Sequence, residues 1–274
     1  MEDTNELKIG KLVFRINDDS TATVVDCEKD AVAIEVPELV DGVPVVYIGD
    51  NAFKGCTNLK KVTIPKNVTE IGNNAFYNCK KITGVTIKGS SLVKIGTGTF
   101  RKCSSLKSVT IPKNVTEIGK DAFRDCKKLS KVTIKGTKIK KIGKNAFKGC
   151  TKLKKVTIPK NVTEIGSNAF YNCKKMTSVT IKGSNLTKIG TGAFRKCSSL
   201  KSVTITKNVT EIGKDAFRDC KKLSKVTING TKLKKVGKNA FKNIAKKSTI
   251  KVPKSKKKAY KNLLKKAGYT KTVK

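Results

Sequence analysis

Two patterns of apolar and polar residues divide the chain. Over the first fifty residues apolar side chains alternate with polar ones in KLVFRI, TATVVD and VAIEV, with turn-forming NDDS and DGVP between them. Alternation at period two predicts short antiparallel strands. From there to about residue 247 the apolar positions recur in a fixed block, seen cleanly in LKKVTIPKNVTEIGNNAFYN at residues 59–78. A marker phenylalanine falls at Phe53, Phe76, Phe100, Phe123, Phe147, Phe170, Phe194, Phe217 and Phe241, which makes nine copies at alternating steps of 23 and 24 residues.

Inside the block the apolar spacing predicts a compact coil. Val62 and Ile64 share one face of a short strand, and Thr63 points the other way. Pro65 ends the strand because it has no amide donor. Lys66 and Asn67 form a polar turn in which Asn tolerates left-handed backbone, and Val68 and Ile71 return inward. Gly72 is expected to supply a positive φ. Asn73 or Asn74 then caps a short helical turn carrying Ala75, Phe76 and Cys79. Alternate copies read IKGSSLVKIG or IKGTKIKKIG in place of IPKNVTEIG; the inserted residue accounts for the two step lengths.

Coils of one pattern stack, each contacting only its neighbours. At a strand spacing of about 4.8 Å, nine copies build an array of roughly 43 Å, with like residues in ladders and no copy stable alone. A second period lies over the first: residues 51–144 return almost unchanged at 145–238, with exchanges such as Ile82/Met176, Ser91/Asn185, Pro112/Thr206 and Ile142/Val236. Such a duplication suits a lattice better than a single catalytic pocket. After Lys246 the chain forms one more strand, STIKVP. A helix from Ser255 then places Tyr260, Leu263, Leu264 and Ala267 on one face and stops at Gly268. A basic amphipathic helix can also lie on a membrane surface, but at the end of an array a lid is the simpler role. The expected organisation is an N-terminal β cap (1–50), a repeat solenoid (51–247) and a C-terminal strand and helix cap (248–274).

The spacing of Leu59, Val62 and Ile64 matches L-x-x-L-x-L, and the fuller pattern L-x-x-V-x-I-P-x-x-V-x-x-I-G-x-x-A-F-x-x-C runs from about Val46 to Lys247. It resembles the BspA-like leucine-rich repeats of bacterial surface and secreted proteins. GKLVFRINDDSTATVV resembles the lead-in segment of such proteins, and IKVPKSKKKAYKNLLKKAG resembles the closing element of secreted members. The resemblance implies an α/β repeat solenoid, right-handed and curved, secreted or surface-attached, with a role in adhesion to host matrix or other cells. It also implies that the opening EDTNELK, which shows no charged-then-apolar leader, begins a mature chain whose signal has been removed. A cytosolic chain is the alternative. No apolar run is long enough to span a bilayer.

Charge sharpens the functional reading. The chain carries a net +41, yet its first fifty residues hold twelve acidic and four basic side chains, a net of −8 that leaves +49 for the rest. A basic surface draws polyanions such as sulfated or sialylated glycans, teichoic acids or nucleic acid; a simple solubilising coat is the bland alternative. Candidate contacts on the outward side of the strands are Lys60, Lys61, Lys107, Lys131, Lys154, Lys155, Lys201 and Lys225. Nucleic acid is the weaker candidate, because base readout favours arginine forks and stacking aromatics, whereas arginine occurs only at 15, 101, 124, 195 and 218 and tryptophan is absent.

Other repeated residues have structural explanations. One cysteine follows each of the first eight marker phenylalanines by three residues, Cys56 to Cys220, so these should stack as small buried groups, with disulfides between neighbours within geometric reach. Cys27 belongs to the cap. With no histidine and no CxxC pair, mixed zinc sites and the usual hydrolytic triads are excluded, and no cofactor is implied. Glu70, Glu117, Glu164 and Glu211 recur in VTEIG, where balancing nearby lysines is the simplest role; Asp125 and Asp219 read as solvated. The threonines of V-T-I would form a row that suits an exposed strand. Asn-x-Thr sequons fall mostly where the turn needs Asn. The sequence therefore predicts a non-enzymatic extracellular binding scaffold that engages a host or cell-surface protein or an anionic glycan. Alternatives are self-association of the acidic cap with a neighbour's basic body, and nonspecific nucleic-acid binding.

Overall fold

The computed structural model describes residues 6–136 and 138–274; the opening residues 1–5, where the absence of a leader was read, lie outside them. Each repeat makes one coil with two strands. The V-T-I segment forms a four-residue strand, as in Lys61–Ile64, and the E-I or K-I segment a two-residue strand, as in Glu70–Ile71. Stacking lays these into two parallel ladders. The E-I ladder is continuous from Val43–Ile48 to Lys235–Val236, and the antiparallel strands Glu6–Ile9, Leu12–Ile16 and Ala22–Cys27 extend it at the N-terminal end. The V-T-I side has eleven parallel strands among the described residues, so the coil continues past the nine marker phenylalanines at both ends. Ala33–Glu35, expected to be antiparallel, instead pairs parallel with Lys61–Ile64 and starts this side.

The phenylalanines fix the repeat distance. Phe53 to Phe241 stack face over face at 4.7–5.3 Å with ring planes within 3–13°. Offset stacks of this kind add to the burial of their area. The cysteines form the second ladder. Cys79, Cys103, Cys126, Cys150, Cys173, Cys197 and Cys220 each donate Sγ–H to the carbonyl of the marker phenylalanine one coil before, at 3.0–3.3 Å. All nine cysteines are buried free thiols, and burial pushes the Cys126 and Cys150 thiols well up.

The expected helical turn around Ala75 and Phe76 does not form. In this stretch amide donors alternate between the local turn and the next coil: Phe76 N donates to Thr99 O at 2.8 Å, Tyr77 N to Asn74 O at 2.8 Å, and Asn78 N to Arg101 O at 2.9 Å. An α-helix needs every donor for its own i−4 carbonyl. Left-handed φ at Asn74 (53°) and Asn78 (64°) breaks the spiral as well. Those two asparagines take the role expected of Asn67, whose φ is not positive. Gly72 likewise has no positive φ. A Cβ there would stand 2.8 Å from the Gly49 carbonyl carbon, and one at Gly96 would stand 2.7 Å from that of Gly72. Glycine is needed because backbone stacks directly on backbone.

The V-T-I side is not one sheet. Coils lock in pairs: Lys61–Ile64 matches Gly84–Ile87 at four positions, as do the three later pairs. Between pairs the register drops to one position, Lys131 with Lys155 and Ser178 with Ser202, and between Gly84–Ile87 and Ser108–Ile111 the ladder is interrupted. Within a pair, Lys88 N closes the ladder onto Ile64 O at 2.9 Å, and Gly89 packs so tightly that a Cβ would lie 2.5 Å from Lys66 Cα. Between pairs the corresponding residues are Pro112 and Pro159, which have no N–H, and Thr206, which has one yet restores no extra rung. The loop path set by the paired coils, and not the missing donor alone, holds these strands apart. The threonine row is correspondingly interrupted.

The C-terminal end is sealed as the pattern predicted, with one addition. Thr249–Lys251 adds a rung, the helix Lys257–Lys266 buries Tyr260 and Leu264, and the last strand, Thr272–Val273, pairs back onto Thr249–Lys251. Tyr260 donates to Gly230 O at 2.9 Å and accepts from Leu233 N at 3.0 Å. Tyr269 meets Phe241 edge-on at 6.2 Å and ends the aromatic stack.

Candidate ligand-binding surface

The eight lysines singled out by sequence occupy two adjacent columns, and all are exposed. Lys61, Lys131, Lys155 and Lys225 open their strands. Lys60, Lys107, Lys154 and Lys201 stand one residue earlier, before the strand and not on its outward side, in alternate coils. Backbone bonds hold this second column: Lys107 N donates to Thr83 O, and Ser130 N to Lys107 O at 2.9 Å. Only Lys131 and Lys155 meet directly in register. Lys107 and Lys154, with Lys128, Lys152, Lys175 and Ser130, surround a depression of about 540 Å³ whose lining contains no carboxylate.

The E-I side is electrically opposite in design. Register alternates acid and base: Glu70, Lys94, Glu117, Lys141, Glu164, Lys188, Glu211, Lys235. Lys94 Nζ lies 2.6 Å from Glu70, Lys141 3.6 Å from Glu164, and Lys188 and Lys235 3.8 and 3.5 Å from Glu211. The Glu70 partner raises the Lys94 pKa. Half of the eight acidic residues after position 50 sit in this column, so the free positive charge belongs to the other faces.

A third row follows the marker phenylalanines by one residue. In coil order it reads Lys54, Tyr77, Arg101, Arg124, Lys148, Tyr171, Arg195, Arg218, Lys242. Arg101 lies 5.6 Å from the Tyr77 ring centroid and Lys102 5.5 Å; around Tyr171 stand Lys148 at 5.3 Å, Lys196 at 5.7 Å and Arg195 at 5.9 Å. Each is within cation–π range. Lys102, aided by Arg101 and Lys54, holds the Tyr77 hydroxyl below its ordinary pKa. Asp121 and Asp125 approach Arg124 at 3.3 and 3.4 Å, and Asp215 and Asp219 approach Arg218 at 3.4 and 3.7 Å. Asp125 and Asp219 are thus arginine partners where sequence suggested solvated residues. The charge reading by lysine count passed over this row, although arginine at the position after the marker phenylalanine was visible.

The profile of the BspA-type leucine-rich repeat region matches residues 38–153 and 136–246 in six copies. The chain belongs to the BspA-type leucine-rich repeat family. Among solved structures, this BspA-type chain is similar to the T. pallidum leucine-rich repeat protein at 28% identity, covering 71% of this chain and 90% of that one with a TM-score of 0.64. A leucine-rich cell surface protein from Faecalibacterium prausnitzii aligns at 24% identity over 94% and 97% of the two chains with a TM-score of 0.48. No curated protein matches. Leucine-rich repeat solenoids are in general non-enzymatic binding scaffolds. Among the described residues no helix is long and apolar enough to cross a membrane.

Proposed function

We propose that this BspA-type protein is a non-enzymatic binding protein of the bacterial surface, which engages anionic partners, glycan or protein, through the basic faces of its solenoid. The observation that carries this reading is the uneven disposition of charge. The E-I side neutralises its lysines with a register-matched glutamate column, and in the row after the phenylalanines Arg124, Arg195 and Arg218 stand against aspartates, while the strand-start lysine columns keep their charge and line a depression without a carboxylate. Low-dielectric walls carrying one sign of charge focus potential and speed association. The family's place among bacterial surface proteins supports the location.

Retention on immobilised polyanions and on neutral host proteins, at low and at physiological salt, tests the reading. Selective retention on one anionic class at physiological salt supports it, whereas loss of all binding once surface charges are screened refutes it. A second reading, self-association, is favoured by the edge strand Glu6–Ile9, which among the described residues pairs on one side only and where Leu7 and Ile9 are 37% and 45% exposed. It requires salt-sensitive oligomers of the purified protein in the absence of any ligand.

A further inference from the structure

The geometry points to the Tyr–Arg–Arg row, and not the strand lysines, as the site that recognises an extended anionic polysaccharide through its sulfate or carboxylate groups. This deepens the polyanion-binding reading above and rests on it.

Arginine placement is the first observation. The chain has five arginines among 61 basic residues, and the four that follow residue 50 all occupy the one row, as two neighbouring pairs. Every other basic position of the solenoid is lysine. A solubilising coat has no use for that distinction. Recognition has, because guanidinium offers a planar fork that grips an oxyanion with two parallel bonds and stacks on aromatic rings, whereas lysine is a hydrated point charge.

The second observation is the company these arginines keep. The two tyrosines of the repeats stand in the same row, each followed by its arginine pair, so the chain carries two clusters: Tyr77, Arg101, Arg124 with Lys102, and Tyr171, Arg195, Arg218 with Lys196. Lys102 and Lys196 hold left-handed φ of 62° and 61°. At this position other coils use Gly, Asn or Asp, the residues that tolerate such backbone. Lysine there accepts strain and brings one more cation against each tyrosine. Nε and Nη1 of Arg124, Arg195 and Arg218 face Asp121, Asp125, Asp215 and Asp219 at 3.3–3.9 Å, whereas among the described residues no hydrogen bond or ion pair uses Nη2 of the four arginines and no ion pair involves Arg101. The Nη2 groups, and the Arg101 guanidinium, are the donors left for a ligand.

The third is spacing. The Phe100 and Phe194 rings beneath the two clusters are four stacking steps of 5.2–5.3 Å apart, roughly 21 Å. Only an extended ligand reaches both, and the second cluster opens on a depression of about 680 Å³ lined by Tyr171, Asn172, Ser198, Lys174, Lys196, Lys221 and one carboxylate, Asp219. The Tyr171 ring is flanked by Lys148 from the coil before and by Arg195 and Lys196 from the coil after. Its faces are covered, so it offers an edge and a hydroxyl. That disfavours stacking of a nucleic-acid base and suits a hydroxyl-rich, charged saccharide.

The test uses a charge-preserving variant, R101K/R124K/R195K/R218K, beside K60Q/K107Q/K154Q/K201Q, with folding checked by circular dichroism. Binding to heparin, to hyaluronan and to a DNA duplex is measured at physiological salt. The arginine variant should lose about tenfold or more in affinity for the preferred polysaccharide, the scale of lost bidentate bonds. The lysine variant should stay within about threefold, as expected for screened surface charges. Heparin against hyaluronan separates sulfate from carboxylate as the group recognised. Equal binding by the arginine variant and wild type overturns the row while leaving a general polyanion field in place. Failure of wild type on both polysaccharides overturns the row and the polyanion reading together. DNA binding that is tighter than either and equally dependent on the arginines overturns the polysaccharide as ligand.

Discussion

The two long sides of the solenoid are built from the same coils and obey different rules. The E-I side uses strands of only two residues, yet its ladder passes unbroken through every coil from Val43–Ile48 to Lys235–Val236. The V-T-I side has strands twice as long and is divided into locked pairs. Strand length therefore does not decide continuity. What decides it is whether backbone can stack on backbone at each step, which the glycine column permits on the E-I side. The paired loops allow it only at alternate steps on the other. Charge follows the same division: alternating acid and base on the continuous side, and on the divided one lysines whose described carboxylate partners, Glu35 to Lys88 and Glu38 to Lys66, come from the N-terminal cap.

The core beneath both sides should give the largest effect. Phe147 lies mid-stack, fully buried, between rings at 5.2 and 5.3 Å. Phe147→Ala is expected to cost about 3–5 kcal/mol and to reduce the cooperativity of unfolding, since a one-dimensional array is only as coupled as its weakest interface. Chemical denaturation followed by circular dichroism measures both. A loss below about 1 kcal/mol would show that the strands, and not the aromatic stack, join the coils.

Two glycines seven residues apart in one coil separate the sides directly. A Cβ at Gly190, on the E-I side, would meet Ser167 N at 2.7 Å and the Gly166 carbonyl carbon at 2.8 Å; one at Gly183, on the V-T-I side, would meet Lys160 O at 2.5 Å. By local crowding Gly183→Ala looks worse. Gly190, however, has a stacked neighbour on both sides, because a Cβ at Gly213 would in turn lie 2.7 Å from the Gly190 carbonyl carbon, while the loop holding Gly183 faces a loosened junction and can shift. Gly190→Ala is expected to cost about 3 kcal/mol and Gly183→Ala about 1 kcal/mol, the two ends of the overpacking range. The reverse order in thermal unfolding would mean that the divided side is as rigid as the continuous one.

Much of this was legible in the chain because it is local and repeated. The 23/24 alternation, the phenylalanine and cysteine ladders, the outward threonines and the Tyr260, Leu264 lid follow from spacing alone. The helical turn at Ala75 was misjudged because NNAF looks like a capped helix until its donors are counted across coils. Gly72 was assigned the wrong reason, since φ and close approach both select glycine and only three dimensions separate them. The division of the V-T-I side depends on loop paths that no single copy encodes. The arginine row was written in the sequence at Arg101, Arg124, Arg195 and Arg218, but 56 lysines obscured it until stacking brought the four together.

The smallest expected effect probes why the divided side stays basic. Lys131 and Lys155 are register partners, and like charges directly opposite on a sheet are destabilising. Lys155→Glu would place on the V-T-I side the acid-base pairing that the E-I side already has. It should stabilise the protein by about 0.2–1 kcal/mol at low ionic strength, with the gain fading at high salt. Thermal unfolding at two salt concentrations checks this. A stabilised variant would mean that the lysine column is kept at a small expense in folding stability, as expected of a column that serves the general positive field of the surface and not its packing. A destabilised one would mean that Lys155 supports the fold itself, through the packing of its long stem against the neighbouring strands. The difference in charge between the two sides would then be structural in origin.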